Sequence, residues 1–110
     1  MNNLFSIEGK VTLVTGGFRG IGEMIAAGFL ANGAKVYISS RKADVCAATA
    51  TRLQETYGGQ CIPIAGDLSS IEGIETVVSA LSSQEVKLDV LINNAGATWG
   101  EPIEEFLEAG

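Results

Sequence analysis

The sequence predicts an α/β fold in which helices cover a parallel sheet, and three observations support this prediction. Four short runs rich in β-branched and aliphatic residues alternate with segments of helical length. Apolar residues recur at helical spacing in those longer segments. A glycine-rich turn directly follows the first run. Such alternation is typical of strand–helix–strand units, whose strands lie parallel within one sheet.

The four predicted strands cover residues 11–15, 35–39, 61–65 and 89–93. The third contains Pro63, and because proline cannot donate a hydrogen bond to a sheet ladder, it normally marks an edge strand. In a doubly wound sheet of order 3-2-1-4 the third strand lies at the edge. Pro63 is therefore compatible with the predicted fold.

Three amphipathic helices are predicted between these strands, because apolar residues recur three or four positions apart. These residues are Ile21, Ile25, Ala26 and Phe29 in the first helix, Cys46, Ala50, Leu53 and Tyr57 in the second, and Ile71, Ile74, Val78 and Leu81 in the third. Asn32 with Gly33 signals the end of the first helix. Ser69 with Glu72 predicts a capping box at the start of the third.

Composition and charge predict a folded domain and exclude several classes of partner. Of the 110 residues, 46% are hydrophobic and 18% charged, far from the composition of disordered chains. This length suits one domain. The net charge of −6 comes without a basic cluster, which argues against nucleic acid and anionic membranes as partners. Neither a signal peptide nor an apolar run of membrane-spanning length is recognisable, so we expect a cytoplasmic protein.

The metal-ligating and thiol residues are few. The chain has no histidine, and Cys46 and Cys61 are its 2 cysteines, without the spacing of a thiolate metal site. No metal is therefore expected. A disulfide between the two is the less favoured alternative, because two cysteines without a signal peptide are more often separate reduced thiols.

The glycine-rich turn is the first candidate site. Residues 15–22 read Thr-Gly-Gly-Phe-Arg-Gly-Ile-Gly between the first strand and the first helix. In such a turn Gly16 permits the sharp bend, Gly20 lets the backbone approach a pyrophosphate, and Gly22 lets the helix pack closely on the strand. The N–H groups and partial positive charge of the helix N-terminus then favour phosphate. The competing interpretation is that the glycines only close a tight turn.

A P-loop is the other phosphate-binding turn to consider, because Gly17 and Gly22 have the glycine separation of that motif. It would place a lysine and then a serine or threonine after its last glycine. Glu23 and Met24 occupy those positions in this chain. The P-loop interpretation therefore fails.

Three motifs resemble those of a known family. They are Thr-Gly-x-x-x-Gly-x-Gly at 15–22, Asp-Leu at 67–68 and Asn-Asn-Ala-Gly at 93–96. In this order, and on these elements, they resemble the cofactor motifs of short-chain dehydrogenases/reductases, which have a Rossmann-type doubly wound parallel sheet. The resemblance covers residues 9–99. The sequence around the first and last motifs looks most like the 3-oxoacyl reductase branch, particularly its rhamnolipid-biosynthesis members.

The resemblance implies a cofactor site along the chain. The implied binding residues are Gly16, Gly17, Phe18, Arg19, Gly20, Ile21 and Gly22 in the turn that receives the pyrophosphate, Asp67 and Leu68 at the adenine ring, and Asn94, Ala95 and Gly96 toward the nicotinamide ribose. It also implies hydride transfer to a small-molecule carbonyl substrate, here a 3-oxoacyl thioester carried by acyl carrier protein. A homo-oligomer is the expected state of the whole protein.

The end of the second strand predicts which dinucleotide is bound. Folds that prefer NAD carry an acid there, about twenty residues after the glycine turn, to bind the ribose 2′-hydroxyl. This chain has Ser40 at that position, followed by Arg41 and Lys42. Arg41, with Arg19 from the glycine turn, would hold a 2′-phosphate through charge-assisted hydrogen bonds. NADP(H) is therefore the predicted cofactor, and solvated surface arginines are the alternative.

The catalytic residues that the resemblance implies are a serine, a tyrosine and a lysine four positions after the tyrosine. No lysine of this chain follows a tyrosine at that distance. We therefore expect residues 1–110 to form an NAD(P)-binding Rossmann domain that stops before the catalytic segment, with the fourth strand open at its edge. A non-catalytic NADP(H)-sensing module and a truncated gene model are the alternatives.

Overall fold

The computed structural model describes residues 7–16 and 20–94. Strands and helices alternate along this part of the chain. They are β1 Val11–Thr15, α1 Gly20–Ala31, β2 Lys35–Ser40, α2 Ala43–Tyr57, β3 Cys61–Ala65, α3 Ile71–Gln84 and β4 Val90–Asn93. The predicted alternation is confirmed, with β2 one residue longer at its end than predicted and β4 one residue shorter at its start. Asp89 lies outside β4, where its carboxylate accepts a hydrogen bond from the Val11 N–H (2.8 Å).

The four strands form one parallel sheet in the order β3-β2-β1-β4. This confirms the predicted fold class. Because all strands run in the same direction, their carboxyl ends meet at a single edge, which we call the carboxyl edge. The chain winds from β1 outward to β3 and then returns to place β4 on the other side of β1. Ligands of doubly wound folds bind at the carboxyl edge where the strand order reverses, here between β1 and β4.

Each face of the sheet carries its own hydrophobic core. The first core joins α1 and α2 to the sheet through Val14, Ala26, Leu30, Val36, Ile38, Cys46, Ala50 and Leu53. The second joins α3 to the opposite face through Leu13, Tyr37, Ile64, Leu68, Ile74, Val77, Leu81 and Leu88. Alternating side chains of β1 and β2 serve the two cores in turn, as the two-residue period of a strand requires. The two central strands β1 and β2 therefore contribute apolar side chains to both faces.

Some helix residues predicted to be apolar contacts lie outside these cores. Ile21 and Ile71, near the first turns of α1 and α3, are 67% and 70% exposed, and Tyr57, at the end of α2, is 46% exposed. Helical periodicity assigned all three to a buried face. The assignment is wrong for them because each lies at a helix end, beyond the side chains that the sheet offers.

Pro63 lies in the edge strand, as predicted. The N–H of Val36 donates to the carbonyl of Gln60 (3.0 Å), and that of Gly66 donates to the carbonyl of Ser40 (2.9 Å). In a parallel ladder with this phase, alternate residues of β3 face β2, and Pro63 falls among those that face away. The missing N–H of proline therefore costs no hydrogen bond within the sheet.

The start of α3 corrects the predicted capping box. The N-cap is Ser70, whose Oγ accepts a hydrogen bond from the Gly73 N–H (3.0 Å). Ser69, the predicted cap, lies one residue earlier and bonds instead to the Asp67 carboxylate. Both serines precede the same apolar pattern, and what selects Ser70 is the position of the first helical residue, Ile71.

A charged network lies at the amino ends of the strands. These ends form the amino edge of the sheet, opposite the carboxyl edge. The buried Tyr37 hydroxyl donates to Glu85 Oε2 (2.7 Å), and Lys35 Nζ pairs with the same oxygen (2.5 Å). Burial, followed by the hydrogen bond to Glu85 and its negative charge, raises the pKa of Tyr37. Burial alone would raise the pKa of Glu85, but the hydrogen bonds from Lys35 and Tyr37 hold it below its usual value. The network ties the end of α3 to β2.

Candidate cofactor site

The turn after β1 has the backbone geometry that only glycine adopts readily. Gly16 has a φ of 68° and Gly20, the first residue of α1, a φ of 61°. Left-handed values of this kind are strained for residues with a Cβ atom. The Gly16 N–H also donates to the carbonyl of Ser39 (2.9 Å), which fixes the turn to the end of β2. Gly17, Phe18 and Arg19, also predicted site residues, lie outside the described residues.

Gly22 lets α1 approach the turn. A Cβ atom at this position would lie 2.2 Å from the carbonyl oxygen of Gly16 and 2.7 Å from Asn94 Nδ2. By contrast, a Cβ atom at Gly20 would meet nothing within 4 Å. The backbone at the N-terminus of α1 is therefore packed tightly on its inner side and open at its first residue. Ile21, the next residue, is largely exposed.

The carboxyl ends of β1 and β4 are joined through Thr15. Its hydroxyl accepts a hydrogen bond from the Asn94 N–H (2.8 Å) and lies 3.1 Å from Asn93 Oδ1, to which it donates. Thr15 belongs to the first motif, but no role was predicted for it from the sequence. The signal available was a threonine that ends one buried strand and an Asn-Asn pair that ends another. Ala95 and Gly96 lie outside the described residues.

The end of β2 places one buried and one exposed side chain side by side. Ser40 is buried, and its hydroxyl donates to the carbonyl of Lys42 (3.1 Å), which shapes the turn into α2. Arg41 is exposed and is absent from the ion pairs found within residues 7–16 and 20–94. The first residue after β2 thus offers a guanidinium group to the carboxyl edge.

The end of β3 separates the two residues of the Asp-Leu motif. Asp67 is exposed, and its Oδ1 accepts hydrogen bonds from the Ser69 N–H (3.0 Å) and the Ser69 hydroxyl (2.6 Å). Those bonds, with a smaller contribution from the charge of Arg41, lower the pKa of Asp67. Leu68 is buried in the core beneath α3. The structure therefore directs only the aspartate of this pair to the surface.

The candidate site residues at the carboxyl edge follow the ends of all four strands. The edge combines a glycine turn at a helix N-terminus, an amide pair, a guanidinium and a carboxylate. Among the described residues no group of three potential metal ligands is present, and no helix is long and apolar enough to cross a membrane. An edge of this composition, at the reversal point of a doubly wound sheet, is where dinucleotide-binding α/β proteins hold their cofactor.

Comparison with known proteins identifies the family. The family model described as short chain dehydrogenase matches residues 10–109. The chain therefore belongs to the short-chain dehydrogenase family, which confirms the resemblance drawn from its three motifs.

Individual relatives match this chain over part of their own length. The rhamnolipids biosynthesis 3-oxoacyl-[acyl-carrier-protein] reductase of Pseudomonas aeruginosa is 47% identical over 110 residues, which are 100% of this chain and 42% of that protein. The solved RhlG/NADP active-site complex from the same species is similar with a TM-score of 0.80 and 46% identity, covering 99% of this chain and 43% of that one. L-sorbose reductase from Gluconobacter frateurii, complexed with NADPH and L-sorbose, gives a TM-score of 0.79 and 36% identity, covering 86% of this chain and 36% of that one. The chain thus spans less than half the length of these relatives.

Proposed function

We propose that this chain is the NADP(H)-binding part of a short-chain dehydrogenase/reductase that transfers hydride to a carbonyl substrate. The observation that carries the proposal is the exposed Arg41 at the end of β2, beside Ser40 and without an acid in the sequence position that NAD-binding folds use. Two solved relatives, one a complex with NADP and one a complex with NADPH, support the same cofactor.

The pyrophosphate is proposed to lie on the turn between β1 and α1. Gly16 and Gly20 hold left-handed backbone there, and the space next to Gly20 is open. The first N–H groups of α1 lack partners within the helix and carry the positive end of its dipole, which favours a phosphate group. Gly17, Phe18, Arg19 and Ile21 complete the proposed turn.

The 2′-phosphate is proposed to bind Arg41. A guanidinium group offers paired N–H donors that match phosphate oxygens, and each charge-assisted bond is worth roughly 1.5–3 kcal/mol. Arg19 is the proposed second ligand from the glycine turn. An acid in place of Ser40 would repel this phosphate instead.

The two ends of the dinucleotide are assigned to the remaining site residues. Asp67 is proposed at the adenine ring, with Leu68 supporting it from the core. Asn94, Ala95 and Gly96 are proposed along the path to the nicotinamide, which supplies the hydride when the cofactor is bound. The link between Thr15 and Asn94 would hold this path against the glycine turn.

The catalytic serine, tyrosine and lysine are proposed to lie in further sequence of the whole protein. The relatives are more than twice as long as the matched segment, and no lysine here follows a tyrosine by four positions. A 3-oxoacyl thioester on acyl carrier protein is the proposed substrate. The relative that supports it is a 3-oxoacyl-[acyl-carrier-protein] reductase of 47% identity.

Cofactor titration of the Arg41→Ala variant tests the proposal. Losing one charge-assisted contact should weaken NADPH binding about tenfold to a hundredfold and change NADH binding less than about twofold. Arg41→Lys, which keeps the charge without the planar fork, should have an NADPH affinity between those of the wild type and Arg41→Ala. Isothermal titration calorimetry gives both dissociation constants.

Lys87→Ala is the matched charge control. Lys87 is exposed and pairs with Asp89 at the amino edge of the sheet (3.4 Å), away from the carboxyl edge. Lys87→Ala removes the same formal charge as Arg41→Ala and should leave the affinities for NADPH and NADH unchanged. Equal losses of NADPH and NADH affinity in Arg41→Ala, or a wild-type protein that binds neither cofactor, would refute the proposal.

A further inference from the structure

Arg41 and Asp67 carry opposite charges on adjacent strand ends. Ser40 pairs with Ala65 in the register of β2 and β3, and the Gly66 N–H donates to the carbonyl of Ser40 (2.9 Å). Arg41 therefore lies one position after the paired Ser40, and Asp67 lies two positions after the paired Ala65. The positive charge of Arg41 also contributes to the lowered pKa of Asp67, after the two hydrogen bonds from Ser69.

These two charges nevertheless form no ion pair. The ion pairs within residues 7–16 and 20–94 join Lys35 to Glu85, Arg52 to Glu23 and Lys87 to Asp89. Asp67 is held instead by Ser69, whose N–H and hydroxyl both donate to Oδ1, at 3.0 and 2.6 Å. The tether holds the carboxylate at the start of α3.

We propose that Ser69 determines cofactor specificity, because its tether on Asp67 keeps Arg41 available for the 2′-phosphate. A carboxylate and a phosphate compete for the same N–H donors of a guanidinium group. Without the tether, the exposed side chain of Asp67 is free to pair with Arg41, and the 2′-phosphate must displace it. This inference rests on the proposed NADP(H) function and adds a residue to that site.

The effect is selective because NADH has no 2′-phosphate. An exposed ion pair between Asp67 and Arg41 is worth about two- to fivefold in a binding constant, so NADPH binding weakens by that factor when the phosphate must displace it. Any change in how Asp67 meets the adenine ring affects both cofactors alike. The ratio of the two dissociation constants therefore isolates the role of the tether.

Ser70 supplies the matched control. It is the neighbouring serine at the same helix start. Its Oγ caps α3 by accepting from the Gly73 N–H (3.0 Å) and donates to the main-chain carbonyl of Asp67 (3.2 Å), but it does not bond the Asp67 carboxylate. Ser70→Ala therefore disturbs α3 at least as much as Ser69→Ala does. A loss of preference caused by a weakened helix start would occur in both variants.

The test is a set of NADPH and NADH titrations of the whole protein by calorimetry, at one ionic strength. Ser69→Ala should lower the preference for NADPH about two- to fivefold. Ser69→Thr, which keeps the hydroxyl, and Ser70→Ala should keep the wild-type preference. In an Asp67→Asn background, which lacks the competing charge, Ser69→Ala should have no further effect on the preference.

Each contrary result has a separate meaning. An unchanged preference in Ser69→Ala, in a wild-type protein that does prefer NADPH, overturns the inference and leaves the proposed function standing. A loss of the same size in Ser70→Ala, or in Ser69→Ala within the Asp67→Asn background, also overturns it. A wild-type protein without preference for NADPH contradicts the proposed function itself. Ser69 is exposed, so its substitution removes no core contact, and the Asp67→Asn pair provides a second comparison.

Discussion

Alanine substitutions at Gly22 and Gly28 would measure how tightly α1 packs on the glycine turn. Both positions lie in α1, and neither has a left-handed φ. A Cβ atom at Gly28 would meet nothing within 4 Å, whereas one at Gly22 would lie 2.2 Å from the Gly16 carbonyl oxygen. Because that oxygen belongs to the backbone, no side-chain rotation relieves the clash. The two variants therefore differ chiefly in the contacts of this Cβ atom with Gly16 and Asn94.

The two substitutions are expected to change the free energy of unfolding in opposite directions. Gly28→Ala should stabilise the protein by about 0.5–1 kcal/mol, the usual gain when alanine replaces glycine inside a helix. Gly22→Ala has the same helical gain but adds an overpacking cost of about 1–3 kcal/mol. The difference between the variants is thus about 1–3 kcal/mol. In a domain of about 100 residues this corresponds to at least about 4 °C in Tm.

Urea and thermal unfolding followed by circular dichroism provide the comparison, and NADPH titration adds a functional readout. We expect Gly22→Ala to melt below Gly28→Ala and to bind NADPH more weakly, because any relief of the clash moves the turn or Asn94. Gly28→Ala should bind NADPH like the wild type. Equal stability of the two variants would refute the packing argument, and a less stable Gly22→Ala with normal affinity would separate the packing of the turn from its proposed role.

Two further predictions concern titratable groups. Burial raises the pKa of Cys46 and raises that of Cys61 to about 12. Ellman's reagent should therefore modify neither thiol in the native protein and both thiols in guanidinium. Rapid reaction of the native protein would contradict the buried packing of the two cysteines. The pKa values of Glu85 and Asp89 are lowered on folding, so their stabilisation is present above the unfolded carboxyl pKa of about 4 and is lost as the pH falls through the folded values. Urea unfolding between pH 6 and pH 3 should show this loss, and equal free energies of unfolding across the range would count against it.

The sheet and its strand order could be predicted because the signals are local. Each strand is a short apolar run, four of the six connections between strands and helices contain glycine, and the glycine turn lies at a strand–helix junction. Even Pro63, which looks unfavourable in a strand, was placed by one physical rule about missing donors. The predicted family and the predicted order of strands are both confirmed.

Contacts between distant residues could not be predicted in this way. The hydrogen bond from Tyr37 to Glu85 joins residues 48 positions apart, and a buried tyrosine looks the same in sequence whether its hydroxyl has a partner or not. The capping error at α3 has a different cause. Ser69 and Ser70 both precede the same apolar pattern, and only the backbone shows that the first binds Asp67 and the second caps the helix.

The structure separates the groups that hold the sheet together from most of those proposed to bind cofactor. The Tyr37–Glu85 network lies at the amino edge, whereas Arg41 and Asp67 lie exposed at the carboxyl edge. Substitutions at the two exposed residues should therefore change cofactor affinity with little effect on stability. Thr15 and Gly22 differ, because the first joins the ends of β1 and β4 and the second packs on the glycine turn. At these two positions any loss of affinity has to be compared with the accompanying loss of stability before it is attributed to the cofactor.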